Sequence, residues 1–467
     1  MNKKLRNKVI VSCILLVFLV LSPIVNAFFI SYRVSTDDNE YELLIISPKI
    51  FNRVLQPLVT HKINKGIATK LINLNFIYDE ISEGRDDAEN IKYFIKKAKE
   101  EWNISYVLLV GGRKKQFSFS EEWWLPVRYV HIEDRWSVFP GYNEKFISDL
   151  YFADIYDSEG DFSSWDTDGN GKYGEWLDNK SADDVLDLYP EVYVGRLPCR
   201  NVIEVRIMVK KIINYEKEKC ADSWFKRMVV VAGDALPDNN DVFEGEIETQ
   251  KALELMPDFS HVRLWASEGT LTRQKDVIEE INRGCGFLYF SGHGNPMHWA
   301  THPPKDNKTW INGLDVYHIP LLRNKEKLPI CILDGCHNSM FNISIFHSSH
   351  AQGIPVFECL SWRLTRGIRG GSIATIGNTG FSYCTISKID PSKGGGFEQL
   401  VLNFFGEYSQ NDTDILGEIW GKAIDKYLQN FPINWNENSY TDTALDAKIV
   451  EEWLLIGDPS LKIGGYS

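Results

Sequence analysis

A series of short apolar runs, alternating with helical patterns and each ending in a polar or glycine-rich break, constrains this chain more than any other feature. YELLIIS (41–47), ATKLINL (68–74) and YVLLVGG (106–112) alternate with helical patterns near 50–65 and 87–101. A second series follows a helical pattern at 201–218. It comprises RMVVVAGD (227–234), a helix near 244–255, HVRLW (261–265), GFLYFSGHG (286–294), LPICILDGC (328–336) and GSIATIGN (371–378). Runs this short and this uniformly apolar suit strands covered on both faces, and their alternation with helices predicts right-handed βαβ units. The expected fold class is therefore α/β: two units, each a mainly parallel sheet flanked by helices, the first over 28–218 and the second over 219–467. An acidic, glycine-containing segment, 149–176, reads as a loop insertion in the first unit.

Residues 1–27 read as an export signal. Lys3, Lys4, Arg6 and Lys8 precede an apolar run from Val9 to Leu21, followed by Pro23 and a small-residue end at VNA. The run approaches the ~17 residues at the low end for spanning a bilayer, so a membrane partner is expected only if the segment is retained as an anchor. Cleavage would remove Cys13 and leave seven of the eight cysteines, an odd number that implies a free thiol. The sequons at Asn103, Asn179, Asn307, Asn342 and Asn411 agree with a secreted or extracellular-surface location. A formal net charge of −13 disfavours nucleic acid as a partner, because a polyphosphate backbone would be repelled over most of the surface.

Ligands of open parallel sheets bind beyond the carboxyl ends of the strands. Three ends in the second series carry polar or reactive residues at that point: Asp234 after VVVAG, His293 after LYFSG and Cys336 after CILDG. A thiol of ordinary pKa ~8.5 is mostly protonated at neutral pH, so a cysteine nucleophile needs a base, and histidine is the usual one. A third group then orients the imidazole. The amides of Gly294 and Cys336 are candidates for an oxyanion hole, since glycine lets a substrate approach the backbone closely. A metal site built from His293, His298 and His302 is the weaker reading: Gly294, Asn295 and Pro296 prevent a helix continuous from His293, and no carboxylate stands at the fourth place.

SGHG after one apolar strand, ILDGC after a later one, EVYVGRLP (191–198) before a helix ending in NYEKE, and the terminal LLIGDPSLKI (454–463) together resemble the gingipain-type cysteine peptidases. That resemblance runs from about Tyr41 to Ile463. It implies a caspase-like fold, Cys336 as nucleophile, His293 as catalytic histidine, and Gly294 and Cys336 as the source of the oxyanion-hole amides. It also implies Asp234 as the acid near the histidine, one carbon shorter than the family's usual glutamate. Basic-residue-specific members line their primary pocket with an acid from the segment after that strand. Here Asp238, Asp241, Glu244, Glu246 and Glu248 all stand in it; Asp241 and Glu244 are taken as substrate-binding, with Tyr383 at the place of an aromatic pocket wall. Relative to some members, the chain is expected to lack an immunoglobulin-like module, a sorting domain and a long pro-segment between Ala27 and Tyr41.

The stretch WDTDGNGKYGEW (165–176) carries a second chemistry. Alternating Asp166, Asp168 and Asn170 in a tight glycine turn direct hard oxygen ligands inward, the arrangement of a calcium loop. The candidate ligands are Asp166, Asp168, Asn170, Lys172 and Glu175. The twelfth position counted from Asp166 is Leu177, so Glu175 has to close the site. The expectation is a secreted or surface cysteine endopeptidase with a structural Ca2+, acting on protein or peptide substrates through a Cys/His dyad and an acyl-enzyme. The alternatives are a sortase-like transpeptidase of the same family and a non-catalytic, calcium-stabilised surface binding protein.

Overall fold

The apolar runs become the strands of one ten-stranded sheet: β1 (Leu43–Ser47), β2 (Thr69–Asn73), β3 (Tyr106–Val110), β4 (Tyr193–Leu197), β5 (Arg227–Ala232), β6 (Ser260–Trp265), β7 (Phe287–Ser291), β8 (Ile330–Leu333), β9 (Ala374–Asn378) and β10 (Trp453–Ile456). Their spatial order is β2-β1-β3-β4-β10-β9-β8-β7-β5-β6. The computed structural model describes residues 40–134, 142–239, 241–346, 356–383, 395–410 and 413–467. The proposed export signal (1–27) and the sequon at Asn411 lie outside them. The sheet with all its helices belongs to Tyr41–Ser467.

The two predicted strand series are the two wings of this sheet. All neighbours run parallel except β9 and β10. β10 comes from the end of the chain and inserts between β4 of the first wing and β9 of the second, so neither wing is left with an open inner edge. β1, β3, β7 and β8 are buried along their whole length, as two helical layers require. The helices have the local signals to start where they do. Asn201 accepts the amides of Ile203 and Glu204 at the head of Val202–Glu216, and Asp86 caps Asp87–Trp102 through the Glu89 amide. No helix among the described residues is long and apolar enough to cross a membrane.

The motifs EVYVGRLP, NYEKE and GDPSL meet at the join between the wings. A Cβ on Gly195 would lie 2.7 Å from the Gly457 carbonyl oxygen and 2.9 Å from Pro459 Cδ, so only glycine fits where β4 passes the GDP turn. Arg196 beside it is fully buried and bidentate on Asp149, through Nε and Nη2 at 2.7 Å each. Lys62, also without solvent exposure, places Nζ 2.8 Å from Glu216 Oε1, 2.9 Å from Asp458 Oδ2 and 3.1 Å from the Ser460 carbonyl. His61 meets the other Glu216 oxygen at 3.0 Å. These motif residues thus form a buried electrostatic clasp at the carboxyl ends of β4 and β10, whereas the reactive side chains follow the carboxyl ends of β5, β7 and β8.

Two small sheets complete the unit. One, His293–Gly294 with His298–Thr301 and Ile311–Asp315, grows from the end of β7. The other joins Tyr142–Ile147, Tyr129–Asp134 and Tyr173–Trp176. Of the sequons, Asn342 is buried and donates to the Tyr129 hydroxyl at 3.0 Å, an arrangement that leaves no room for a glycan.

Candidate active site

β5, β7 and β8 are immediate parallel neighbours, so Asp234, His293 and Cys336 leave the same edge of the sheet from consecutive strands. The glycines around them allow the loops to touch. A Cβ on Gly294 would sit 2.7 Å from the Gly335 carbonyl carbon, and one on Gly335 would sit 3.0 Å from Gly294 Cα. The residue after the histidine and the residue before the cysteine therefore pack backbone to backbone, which makes the backbones of His293 and Cys336 near neighbours. Behind them Trp299 is fully buried, donating Nε1–H to the Asp334 carbonyl at 2.8 Å, and a Cβ on Gly292 would meet its ring at 2.8 Å.

His293 Nε2 lies 2.5 Å from the Ala235 carbonyl oxygen. A carbonyl only accepts, so Nε2 carries the proton and Nδ1 keeps the free lone pair. The imidazole packs edge to face against His302 and Trp310, with ring centroids 5.7 and 5.3 Å away. Burial lowers its pKa from 6.5, with His302 adding to the effect and the Ala235 carbonyl opposing it. Asp234 was expected to orient this ring, but its carboxylate is engaged elsewhere: Oδ2 accepts the Lys305 amide at 2.8 Å, and Oδ1 is buried without a hydrogen-bond donor. The physical reason is reach. The backbone turns at Asp234, pairing it with His302, and it is the next carbonyl that faces the imidazole.

Cys336 is half-buried, its thiol directed at the Ser382 carbonyl at 3.7 Å. Burial pushes the thiol up to about 12, with the charges of Asp334 and Glu452 adding to it and the Ser382 contact opposing. No hydrogen bond occupies the Cys336 amide among the described residues. Next to it His337 adopts φ +60° and is held by Glu144 at 3.3 Å and by the Phe381 ring. Glu144 also accepts the Phe381 amide at 2.7 Å and pairs with Lys448 at 3.0 Å, and Lys448 reaches Glu452 at the same distance. Sequence reasoning missed this support, because its members come from widely separated segments with no shared motif.

The three residues assigned to substrate binding are scattered. Asp241 is 89% exposed and paired with Lys305 Nζ at 2.6 Å. Glu244 opens the helix Glu244–Glu254 beside Asp234; burial raises its carboxyl, and Asp234 adds to the shift. Tyr383 packs against the core, with Lys448 Nζ 5.2 Å from its ring. Trp310, 55% exposed beside His293, is an aromatic surface at the site that no sequence pattern had singled out.

In the 165–176 loop, Asp166 and Asp168 converge with a residue outside the expected set, Asp184, each offering an oxygen within 4.8 Å of the others. Asp184 is oriented by the amides of Thr167 (2.5 Å) and Glu175 (2.9 Å). Asn170 Oδ1 accepts the Lys172 amide at 2.7 Å. Glu175, expected to close the cage, instead faces the Lys172 ammonium and the Asn170 amide group, and Arg85 lies 2.5 Å from Asp166. Three converging carboxylates, two of them buried, suit a hard divalent cation. The third carboxylate of the group is Asp184 rather than Glu175, because Glu175 is committed within the strand Tyr173–Trp176.

The model for Peptidase family C25 matches residues 36–464 of this chain. Gingipain R2 and gingipain R1 of Porphyromonas gingivalis are each 19% identical to it over 426 residues, covering 90% of this chain but 46% and 34% of theirs. The chain thus spans about half the length, or less, of the curated relatives it matches. The crystal structure of the Arg-specific cysteine proteinase gingipain R aligns with a TM-score of 0.61 at 19% identity, covering 92% of this chain and 79% of that one. The complex of Porphyromonas gingivalis RgpB pro- and mature domains aligns at 0.60 and 18%, covering 90% and 79%. At these identities the structures establish the gingipain-type, caspase-like α/β fold. On the family match over most of its length, the chain belongs to peptidase family C25.

Proposed function

We propose that this protein is a cysteine endopeptidase in which Cys336 attacks a peptide carbonyl and His293 carries the protons. The observation that carries this reading is the backbone contact of Gly294 with Gly335: it supports treating as a dyad the imidazole that precedes one glycine, whose Nδ1 has no partner among the described hydrogen bonds, and the thiol that follows the other. Because burial favours the neutral thiol, the dyad rests as thiol and imidazole rather than as an ion pair. The thiol proton passes to Nδ1 as Sγ bonds to the carbonyl carbon, and the carbonyl electron pair moves onto oxygen, facing the amides of Gly294 and Cys336. When the C–N bond breaks, the leaving amine takes the proton from Nδ1. Water then adds to the thioester, again giving its proton to Nδ1, and the carboxylic acid leaves as Sγ recovers a proton. Glu244, beside Asp234 and near the carbonyl that holds His293, is the acid placed to meet a basic substrate side chain.

Two further assignments complete the reading. A structural Ca2+ would be held by Asp166, Asp168 and Asp184, with Asn170 Oδ1 and the Lys172 carbonyl as additional oxygens, fixing the loop against Arg85 and the first wing. The basic and apolar start of the chain directs export, so the enzyme works outside the cell on protein or peptide substrates.

Selective alkylation tests the dyad. Cys220 is the other part-exposed thiol among the described residues and is pushed up to about 11, so without a base beside it Cys336 would react no faster than Cys220. Limiting iodoacetamide at neutral pH is expected to label Cys336 first and to abolish peptide cleavage in proportion, and His293→Ala is expected to remove the preference. Cleavage that survives Cys336→Ala would overturn the proposal.

A further inference from the structure

Two glycine backbones in contact have no side chains to hold them together, yet the alignment of His293 with Cys336 depends on that contact. We propose that Asn338 is the residue that locks the histidine hairpin onto the cysteine turn, a positioning role for the reaction; this inference rests on the cysteine peptidase function proposed for the same site. Asn338 has no solvent exposure. Its Nδ2 donates to the Asn295 carbonyl at 2.6 Å and to the His298 carbonyl at 3.0 Å. These are the two carbonyls at the closed end of the hairpin that begins with His293–Gly294. Asn295 itself shapes that end, taking the amides of Met297 and His298 on its side-chain oxygen at 2.8 and 3.1 Å. On the other side, the Asn338 amide donates to the Gly335 carbonyl at 3.1 Å and closes the turn that carries Cys336, while its carbonyl accepts the Ser361 amide at 3.1 Å.

The carboxamide has one workable orientation. Turned over, its oxygen would face two carbonyl oxygens; as placed, Oδ1 has no donor and lies over the glycine contact, close to where a Cβ on Gly335 or Gly294 would be, at 2.4 and 2.7 Å. The same side chain therefore excludes any larger residue from both glycine positions and supplies the only cross-links from the turn to the hairpin's closed end among the described hydrogen bonds. No other residue of this size gives two neutral N–H donors from one nitrogen. Aspartate presents oxygen to oxygen, and leucine, similar in shape, takes the donor from the Asn295 carbonyl and leaves the His298 carbonyl with only the Asn295 amide at 3.0 Å.

The experiment compares Asn338→Leu and Asn338→Asp with wild type and with His293→Ala in the full chain. It measures kcat and KM on a peptide substrate, the rate of Cys336 alkylation by iodoacetamide, and the melting temperature. A displaced hairpin is expected to lower kcat by about 10- to 100-fold with KM little changed, the size of effect that ~1 Å of misplacement produces. Cys336 alkylation in the still-folded variants is expected to fall to the His293→Ala rate, and adding His293→Ala to Asn338→Leu is expected to slow it no further. If either variant keeps the His293-dependent alkylation rate while only its melting temperature drops, Asn338 is part of the core and not a positioning residue, and the inference is overturned. Wild-type alkylation that is indifferent to His293→Ala would instead overturn the dyad itself, and the inference with it.

Discussion

The bond from His293 Nε2 to the Ala235 carbonyl removes the work expected of Asp234, since a backbone oxygen already fixes the tautomer. Asp234→Asn keeps an oxygen for the Lys305 amide, so the expected loss in kcat is well below the roughly 10²–10⁴-fold that follows loss of a proton-transfer group. Steady-state kinetics decide it, and a loss inside that range would return Asp234 to the mechanism. The same burial sets the acid limb of the pH profile. His293 must be neutral to accept the thiol proton, and its pKa lies below 6.5, so kcat/KM is expected to rise with pH through a midpoint below 6.5. A limb at or above that value would mean an imidazole exposed to a stabilising negative charge. Cys336 and His293 were legible in the sequence because each ends an apolar run, and a reactive residue at a parallel strand end is a local pattern. Their supports were not: a backbone carbonyl such as that of Ala235 has no residue type to read, and Glu144 and Lys448 come together only through the fold.

Among elements, the helix Asn52–Asn64, the helix Val202–Glu216 and the GDP turn are tied by Lys62, Glu216 and Asp458, whose side chains have no solvent exposure. Removing one member strands the others: Asp458→Ala is expected to cost about 3–5 kcal/mol in urea unfolding, the range for breaking a buried ion pair. Adding Lys62→Met should recover part of it, because the uncompensated ammonium then disappears. A cost below about 1 kcal/mol, the level of exposed pairs, would show that the clasp is solvated. The calcium loop is the second element-scale test. An ion that binds only the folded state adds ~2.7 kcal/mol at a hundredfold excess over Kd, so chelation is expected to lower the melting temperature. Asp168→Ala and Asp184→Ala should each abolish that response, while Glu175→Gln, whose carboxylate faces Lys172, should leave most of it. Equal melting curves in calcium and chelator would remove the ion from the account. The D-x-D-x-N spacing made the loop visible in the sequence; Asp184 escaped because a carboxylate contributed from beyond the following strand leaves no spacing rule to find.

For the whole molecule, strand and helix alternation carried the fold class, since apolar periodicity is a local property. The merging of both wings into one sheet was beyond its reach, because the joining strand lies at the far end of the chain and its partners are set by edges that only tertiary structure creates. The same large interior buries many acids, and this gives the molecule a predictable response to pH. Burial raises Asp154 and Glu452 to about 8 and Glu248 and Asp446 to about 7, and holds Asp334, Glu398 and Glu451 well above their ordinary values. For each such group the folded protein keeps a proton that the unfolded chain has lost above pH ~4, so its contribution is complete below that pH and disappears as pH rises through the folded value. Three histidines, His131, His293 and His298, act in the opposite sense below 6.5, since the folded protein binds their protons less readily, but the raised carboxyls outnumber them. Glu144, lowered to about 2 chiefly by Lys448 and His337 against its burial, together with Asp86 and Glu216, contributes stability above pH ~4.5 and sets the acid boundary. Lys211, lowered to about 7 by burial, and Lys92, lowered to about 8, begin to favour the folded state only as pH rises above those values. The melting temperature, measured at fixed calcium from pH 4 to 9, is therefore expected to peak on the acid side of neutrality and to fall between pH 6 and 8. A melting temperature that climbs steadily across that interval would mean that these carboxyls are ionised in the folded protein, paired with cations or water that their burial argues against.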